Sequence, residues 1–222
     1  MQFIVLVGGV ACGKSTVAGY LHKLGAAVID GDKIAHEVLM IPEIVDQMVM
    51  RWGDRISWGL PTEPAFRQQI AQIVFNEPEE LDFLETILWL PVMNKMDDTI
   101  DFYRHKYTKA IVIDFPLFVE SEMAFGGRYG HYFNGARYWY VDCSPEQRFA
   151  NFHARRKLDK LQNGEPYGKA ETVEEAKKTF IAREGRQWMH KKREMAHVII
   201  DNDMTLAVEE QVKRAWNNLM GQ

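Results

Sequence analysis

The stretch Gly8-Gly9-Val10-Ala11-Cys12-Gly13-Lys14-Ser15-Thr16 constrains this chain more than any other. Gly8, Gly13, Lys14 and Ser15 fit the G-x-x-x-x-G-K-[ST] spacing of a phosphate-binding loop. The apolar run Phe3-Ile4-Val5-Leu6-Val7 before it has the length of a buried strand. Thr16 to Leu24 after it read as a helix, with Gly25 at the C′ position. A strand, a glycine turn and a helix N-terminus in that order form an anion cradle. Successive N–H groups and the positive end of the helix dipole face one cavity. Gly8 and Gly13 permit the positive φ values and close approach that a bound phosphate requires. The loop residues Gly8, Gly9, Ala11, Cys12, Gly13, Lys14, Ser15 and Thr16 are therefore expected to hold nucleotide phosphates. The Lys14 ammonium reaches the β- and γ-phosphates, and the Ser15 hydroxyl is placed to ligate Mg²⁺. Cys12 has two readings: a small side chain that fits the turn, or a thiol whose pKa is lowered by the helix N-terminus and Lys14.

Downstream, strand and helix patterns alternate. Ala26 to Asp30 reads as a second strand, followed by Gly31, Asp32 and a helix over Lys33 to Leu39. Asp30 and Asp32 then lie at the carboxyl end of a strand, where open parallel sheets bind ligands. One of the two carboxylates is expected to cap the helix, leaving the other for chemistry. Residues 40–108 change character. Pro42, Pro61, Pro64, Pro78 and Pro91 punctuate helical patterns such as Phe66 to Phe75 and Glu79 to Leu90. This stretch reads as a helical insertion suited to acceptor recognition, and its Trp52, Trp58 and Trp89 serve either that role or its own core.

Ala110 to Asp114 is the third strand, four apolar residues ending in a carboxylate with Walker B character, so Asp114 is expected to orient Mg²⁺ with Ser15. Tyr138 to Asp142 is the fourth strand, and Ser144-Pro145-Glu146-Gln147 a capping box opening a helix toward Arg155-Arg156. Residues 157–171 read as a mobile connection, and Thr172 to Glu175 as a second capping box. Residues 145–190 together form a helical lid that carries arginines. Val198 to Asp201 is the fifth strand. The last helix, Thr205 to Leu219, has Val208, Val212, Trp216 and Leu219 on one face. The alternation predicts one α/β domain over residues 1–222, a parallel sheet covered on both faces.

A net charge of −4 offers no basic excess for nucleic acid, and no stretch approaches the ~18 apolar residues of a membrane span. The apolar N-terminus lacks the basic n-region of a secretory signal. Two cysteines, Cys12 and Cys143, make no disulfide framework, which points to a reducing, cytoplasmic compartment. The seven histidines lack metal-ligand spacing.

With these segments in view the chain resembles the dephospho-CoA kinase family, P-loop kinases similar to the nucleoside-monophosphate kinases. Val28-Ile29-Asp30-Gly31-Asp32-Lys33-Ile34-Ala35-His36-Glu37-Val38-Leu39 is similar to the family's I-D-A-D-x-I-A-H-x-V-L segment. Arg67 to Phe75 with Leu84-Glu85 is spaced like its R-x-x-L-x-x-x-V-F and L-E. Asp114-Phe115-Pro116-Leu117-Phe118-Val119-Glu120 is similar to D-x-P-L-L-x-E. Val141-Asp142-Cys143, Arg183 with Gln187, and Ile200-Asp201-Asn202 match V-D-C, R-x-x-x-Q and I-D-N. The chain departs from the pattern at Trp89-Leu90-Pro91, at Ala196-His197 and in the lid, where the spacing from Arg148 to Arg155-Arg156 does not align.

The resemblance implies a P-loop kinase core, a five-stranded parallel sheet flanked by helices, with a helical acceptor-binding insertion and a helical lid. It implies transfer of the γ-phosphoryl of ATP, with Mg²⁺, to the ribose 3′-hydroxyl of dephospho-CoA. Asp32 would orient and deprotonate that hydroxyl, Arg67 would contact the acceptor, Asn202 the nucleotide, and Arg155 or Arg156 the phosphates. No nucleic-acid or membrane partner is implied, and the oligomeric state stays open. Two other readings use the same residues: a nucleoside or deoxynucleoside monophosphate kinase, and a nucleotide-binding protein without turnover. The presence of Lys14, Ser15, Asp32 and Asp114 together argues against the last.

Overall fold

The computed structural model describes residues 1–56, 64–106, 108–116, 119–120, 135–162, 172–203 and 207–221. Five strands, β1 (Gln2–Gly8), β2 (Ala27–Asp30), β3 (Ala110–Asp114), β4 (Arg137–Asp142) and β5 (Val198–Asp201), form one sheet in the order β2-β3-β1-β4-β5. β1 pairs in parallel with β3 and β4, and β4 with β5. In chain order the helices among the described residues are α1 (Lys14–Lys23), α2 (Gly31–Val38), α3 (Pro42–Trp52), α4 (Pro64–Asn76) and α5 (Pro78–Arg104). They continue with α6 (Pro145–Gln162), α7 (Val173–Gly185), α8 (Met189–Glu194) and α9 (Val208–Met220).

The chain divides into two compact units, Met1–Ile29 with Tyr103–Gln222, and Asp30–Phe102. The first carries the sheet. Ile4, Val5 and Leu6 of β1 and Ala110 to Ile113 of β3 are fully buried, because helices cover both faces. That is why these strands read as continuous apolar runs and not as alternating ones. On one face Ile4, Leu6, Val112, Trp139 and Val141 form a core with Val17 and Leu21 of α1 and with Val212 and Trp216 of α9. Val208 and Leu219 flank that contact, so the apolar stripe of the last helix is its packing face. α1 ends in a Schellman motif: Ala26 N–H donates to the Leu21 carbonyl (3.1 Å) and Gly25 N–H to that of His22 (2.9 Å), with Gly25 left-handed.

The second unit is helical in every described element. Asp30 caps α2, its side chain accepting the Lys33 N–H at 3.0 Å. Asp32 follows in the first turn of α2. Glu80 on α5 collects three donors from α3: Arg51 Nε and Nη2, both at 3.0 Å, and the Trp52 indole N–H at 2.7 Å. These bonds hold the Glu80 carboxyl below its usual range, chiefly through Arg51 and then Trp52. Trp52 is thus a core residue of this unit; Trp58 lies outside the described residues.

Two boundaries differ from the sequence reading. The helix expected to stop at Leu90 continues through Pro91 to Arg104. An interior proline costs about 3 kcal/mol, but Val92, Met93, Met96 and Ile100 beyond it are all buried. At roughly 1.5–3 kcal/mol for each such side chain, burial outweighs the missing hydrogen bond. α6 likewise runs on to Gln162, where a connection was expected from 157, because nothing before Asn163-Gly164 interrupts a helix; 163–171 lie outside the described residues. The Ser144 box is only half formed. Gln147 N–H donates to Ser144 Oγ (3.4 Å), but Ser144 N–H goes to Asp203 (2.7 Å) and the Gln147 side chain to Asn151 (2.9 Å). The Thr172–Glu175 box is complete.

Replacing Pro91 by alanine restores an N–H to α5 without emptying the core. P91A should raise stability by about 1–3 kcal/mol in urea unfolding, and a loss of stability would show that the proline ring packs where no alanine suffices.

Candidate active site

The loop after the central strand is held from several sides. Gly8 and Gly13 both have positive φ, +153° and +97°, as the turn requires. Gly13 caps α1, its carbonyl accepting the N–H of Thr16 (3.0 Å) and Val17 (3.2 Å). Ala11 is left-handed as well, with φ of 55°, a conformation that costs a non-glycine residue roughly 1–2 kcal/mol. Its carbonyl accepts from Asn151 Nδ2 at 3.2 Å. The Cys12 carbonyl accepts from Asn202 Nδ2 at 2.8 Å. Asn202, expected at the nucleotide, therefore stands against the loop itself.

Lys14 is buried, and its ammonium donates to the carbonyls of Gly8 (3.3 Å) and Gly9 (3.2 Å). Parallel register sets Asp114 opposite Leu6, at the carboxyl end of β3. There its Oδ2 accepts from Ser15 Oγ at 3.4 Å, so residues far apart in sequence meet at the first turn of α1. A hydroxyl and a carboxylate are hard oxygen donors, and Mg²⁺ takes few protein ligands alongside water and phosphate oxygens, so this pair fits that ion. Among the described residues no group of three or more His, Cys, Asp or Glu is arranged to hold a metal.

Helices α6, α7 and α8 contribute residues that the sequence reading did not assign. Arg148 on α6 is buried, its Nε donating to the Cys143 carbonyl at 3.1 Å and a terminal nitrogen pairing with Glu184 of α7. The other Glu184 oxygen accepts the loop N–H of Val10 at 2.9 Å. Arg155 is exposed, and Arg156 lies over the Phe152 ring, 5.5 Å from its centroid. Arg67 falls in α4, and its side chain lies outside the described residues. Lys192 of α8 is fully buried, donating to Glu120 (2.9 Å) and to the Pro116 carbonyl (2.7 Å) just beyond Asp114. Burial pushes its pKa down, against the opposing pull of Glu120. The run Lys191-Lys192-Arg193-Glu194 reads as a solvated charge cluster, so nothing local marks Lys192.

Cys12 corrects the reactive-thiol reading. Its side chain is fully buried, with Sγ 3.9 Å from the Lys14 ammonium. Desolvation pushes the thiol pKa up, and Lys14 and Arg148 only partly oppose it. The helix N-terminus and the cation are where the sequence puts them, but removal from water outweighs both. Cys143 is raised as well, to about 11, mainly by burial.

A parallel sheet whose central strand feeds a glycine loop, a buried lysine and a Ser–Asp pair defines a P-loop nucleotide-binding fold. The family model described as dephospho-CoA kinase matches residues 2–208, and the chain belongs to that family. The dephospho-CoA kinase of Symbiobacterium thermophilum is 30% identical over the whole of this chain and 82% of its own length. That of Dehalococcoides mccartyi is 32% identical over 54% of this chain, and the alignment spans 60% of that relative. The solved dephospho-CoA kinase from Campylobacter jejuni shares the fold, with a TM-score of 0.64 at 22% identity over 100% of this chain and 98% of its own. No helix of the described residues is long and apolar enough to cross a membrane.

Both cysteines are unpaired and buried, and this sets an expectation for their chemistry. At pH 7.5 neither should react with N-ethylmaleimide in the native protein over a period that labels both in 6 M guanidinium, a conventional denaturing concentration at roughly the upper end of protein stability. Peptide mapping that finds native Cys12 alkylated would mean the loop opens far more than its packing indicates.

Proposed function

We propose that this chain transfers the γ-phosphoryl group of ATP to the ribose 3′-hydroxyl of dephospho-CoA, giving CoA and ADP. One observation carries the reading: the family match over residues 2–208 coincides with a loop where Lys14 is buried against Gly8 and Gly9 and Ser15 meets Asp114. In phosphoryl transfer through a loose transition state, positioning and charge stabilisation do most of the work. The loop amides and Lys14 bind the nucleotide phosphates, and Lys14 meets the charge that develops on the transferring group. Ser15 and Asp114 would hold Mg²⁺, which when bound neutralises phosphate charge.

Asp30 is committed to the α2 cap, so Asp32 is the carboxylate assigned to the acceptor. The acceptor oxygen bonds to γ-phosphorus, the bond from phosphorus to the ADP oxygen breaks, and the hydroxyl proton passes to Asp32. The helices of the second unit, Arg67 among their residues, would recognise the acceptor. Two unpaired thiols suit a reducing compartment, and we place the reaction in the cytoplasm.

An ADP-release assay comparing dephospho-CoA with a panel of nucleoside and deoxynucleoside monophosphates tests the acceptor. Dephospho-CoA should give the highest kcat/KM, and a monophosphate that exceeds it would move the chain to the alternative class of kinase.

K14A should fold normally and lose about two to three orders of magnitude in kcat, the scale set by removing a charge that stabilises the transition state. More than a tenth of wild-type turnover would take Lys14 out of the mechanism. D32N should lower kcat while ATP affinity stays near wild type. If instead ATP affinity collapsed and kcat held, Asp32 would serve the nucleotide and not the acceptor.

A further inference from the structure

Arg148 stands closer to the loop than any feature of the sequence suggests. Its terminal nitrogen lies 2.3 Å from where a Cβ on Gly9 would sit, so only glycine lets the guanidinium approach this far. Lys14 donates to the carbonyl of that same Gly9, so two buried cations converge on one residue of the phosphate loop. Taking a guanidinium out of water costs several kcal/mol unless hydrogen bonds compensate. Here the Cys143 carbonyl accepts from Nε and Glu184 forms an ion pair with the terminal nitrogen Nη1, which has no hydrogen-bond partner among the described residues, while the Phe180 ring lies 5.7 Å from the guanidinium carbon. A guanidinium offers five N–H donors, more than these two partners engage, in a planar fork that matches phosphoryl oxygens.

Glu184 makes the arrangement specific. One carboxylate oxygen receives Arg148 and the other receives the N–H of Val10 at 2.9 Å. A single carboxylate thereby contacts both the guanidinium and the loop backbone. We propose that Arg148 is a catalytic residue that contacts the transferring phosphoryl oxygens, and that Glu184, bonded at once to its guanidinium and to the loop amide of Val10, is the positioning residue that sets it there. The inference rests on the kinase reading above. It moves the phosphate-contacting role from Arg155 and Arg156, which lie further along α6, to the arginine already at the loop.

The test compares wild type, R148A, R148K, E184A and E184Q in the full chain, with ADP release, ADP binding by calorimetry and folding by circular dichroism. R148A should lose about 10²–10³ in kcat, as expected for an interaction made in the transition state. Its affinity for ADP, which lacks the transferring group, should stay within about threefold, a shift of under 1 kcal/mol. R148K should recover little because it lacks the fork, and added guanidinium chloride at low millimolar concentration should restore part of the R148A rate. E184A should lower kcat with KM for ATP nearly unchanged. E184Q, which keeps an acceptor for the Val10 N–H, should retain more activity than E184A.

R148A within threefold of wild-type kcat overturns the proposal. If R148A fails to fold, R148K decides: folded and fully active, it overturns the proposal equally. E184A and E184Q with wild-type kcat would remove Glu184 from the positioning role. Each ratio is taken on whichever acceptor the wild type phosphorylates. Wild-type inactivity toward dephospho-CoA therefore tells against the substrate reading alone.

Discussion

Three buried cations around one glycine turn set the terms for this fold. Lys14, Arg148 and Lys192 are the buried basic residues among those described. Each would cost several kcal/mol to strip of water without partners. The partners are drawn from across the first unit: carbonyls of Gly8 and Gly9 for Lys14, Cys143 and Glu184 for Arg148, Pro116 and Glu120 for Lys192. Lys14 is held by carbonyl dipoles and, among the described residues, not by a carboxylate at hydrogen-bond distance. Under the proposed reaction its charge thus remains for a phosphate, in surroundings where Coulomb interactions are stronger than in water.

The sheet topology brings these partners together. β1 lies at the centre of the order β2-β3-β1-β4-β5, so the loop that leaves it is flanked by the ends of β3 and β4. β3 delivers Asp114 to Ser15 and continues to Pro116, the acceptor for Lys192. β4 runs into Cys143, whose carbonyl fixes Arg148. β5 ends next to Asn202, which reaches the Cys12 carbonyl. A one-residue slip between β1 and β3 would turn Asp114 to the opposite face and separate it from Ser15.

What was legible in the sequence follows from how local each rule is. The loop motif, the apolar strands, the Gly25 helix stop and a cap at Asp30 or Asp32 rest on interactions within a few residues, and a short window contains them. The Thr172 box belongs with these, whereas Ser144 lost half of its box to Asp203, a residue from beyond the next strand. Cys12 shows the same limit in its electrostatics. The sequence displays the helix terminus and Lys14, but desolvation depends on what the fold packs above the thiol. Glu184 has no role in the sequence reading, which favours Arg155 and Arg156, later in α6, over Arg148. The significance of Glu184 and Arg148 lies in their meeting each other at Val10, which no spacing within either helix encodes.

The bracing of the loop bears directly on what it can do. Val10, Ala11 and Cys12 are each tied by a side chain from another element: Glu184 on α7, Asn151 on α6 and Asn202 after β5. Ala11 is left-handed without being glycine, so its shape is imposed by these neighbours and opposed by its own preference. A loop ordered by the fold need not be ordered by its ligand, and binding energy then goes into holding phosphates in place. That matters for phosphoryl transfer in particular. The catalytic groups contribute little covalent chemistry, and amides or cations that had to reorient during the reaction would forfeit most of their effect. The strain at Ala11 and the burial of Lys14 and Arg148 are therefore costs met when the chain folds, and under the proposed reaction the loop would meet the nucleotide with its shape already set.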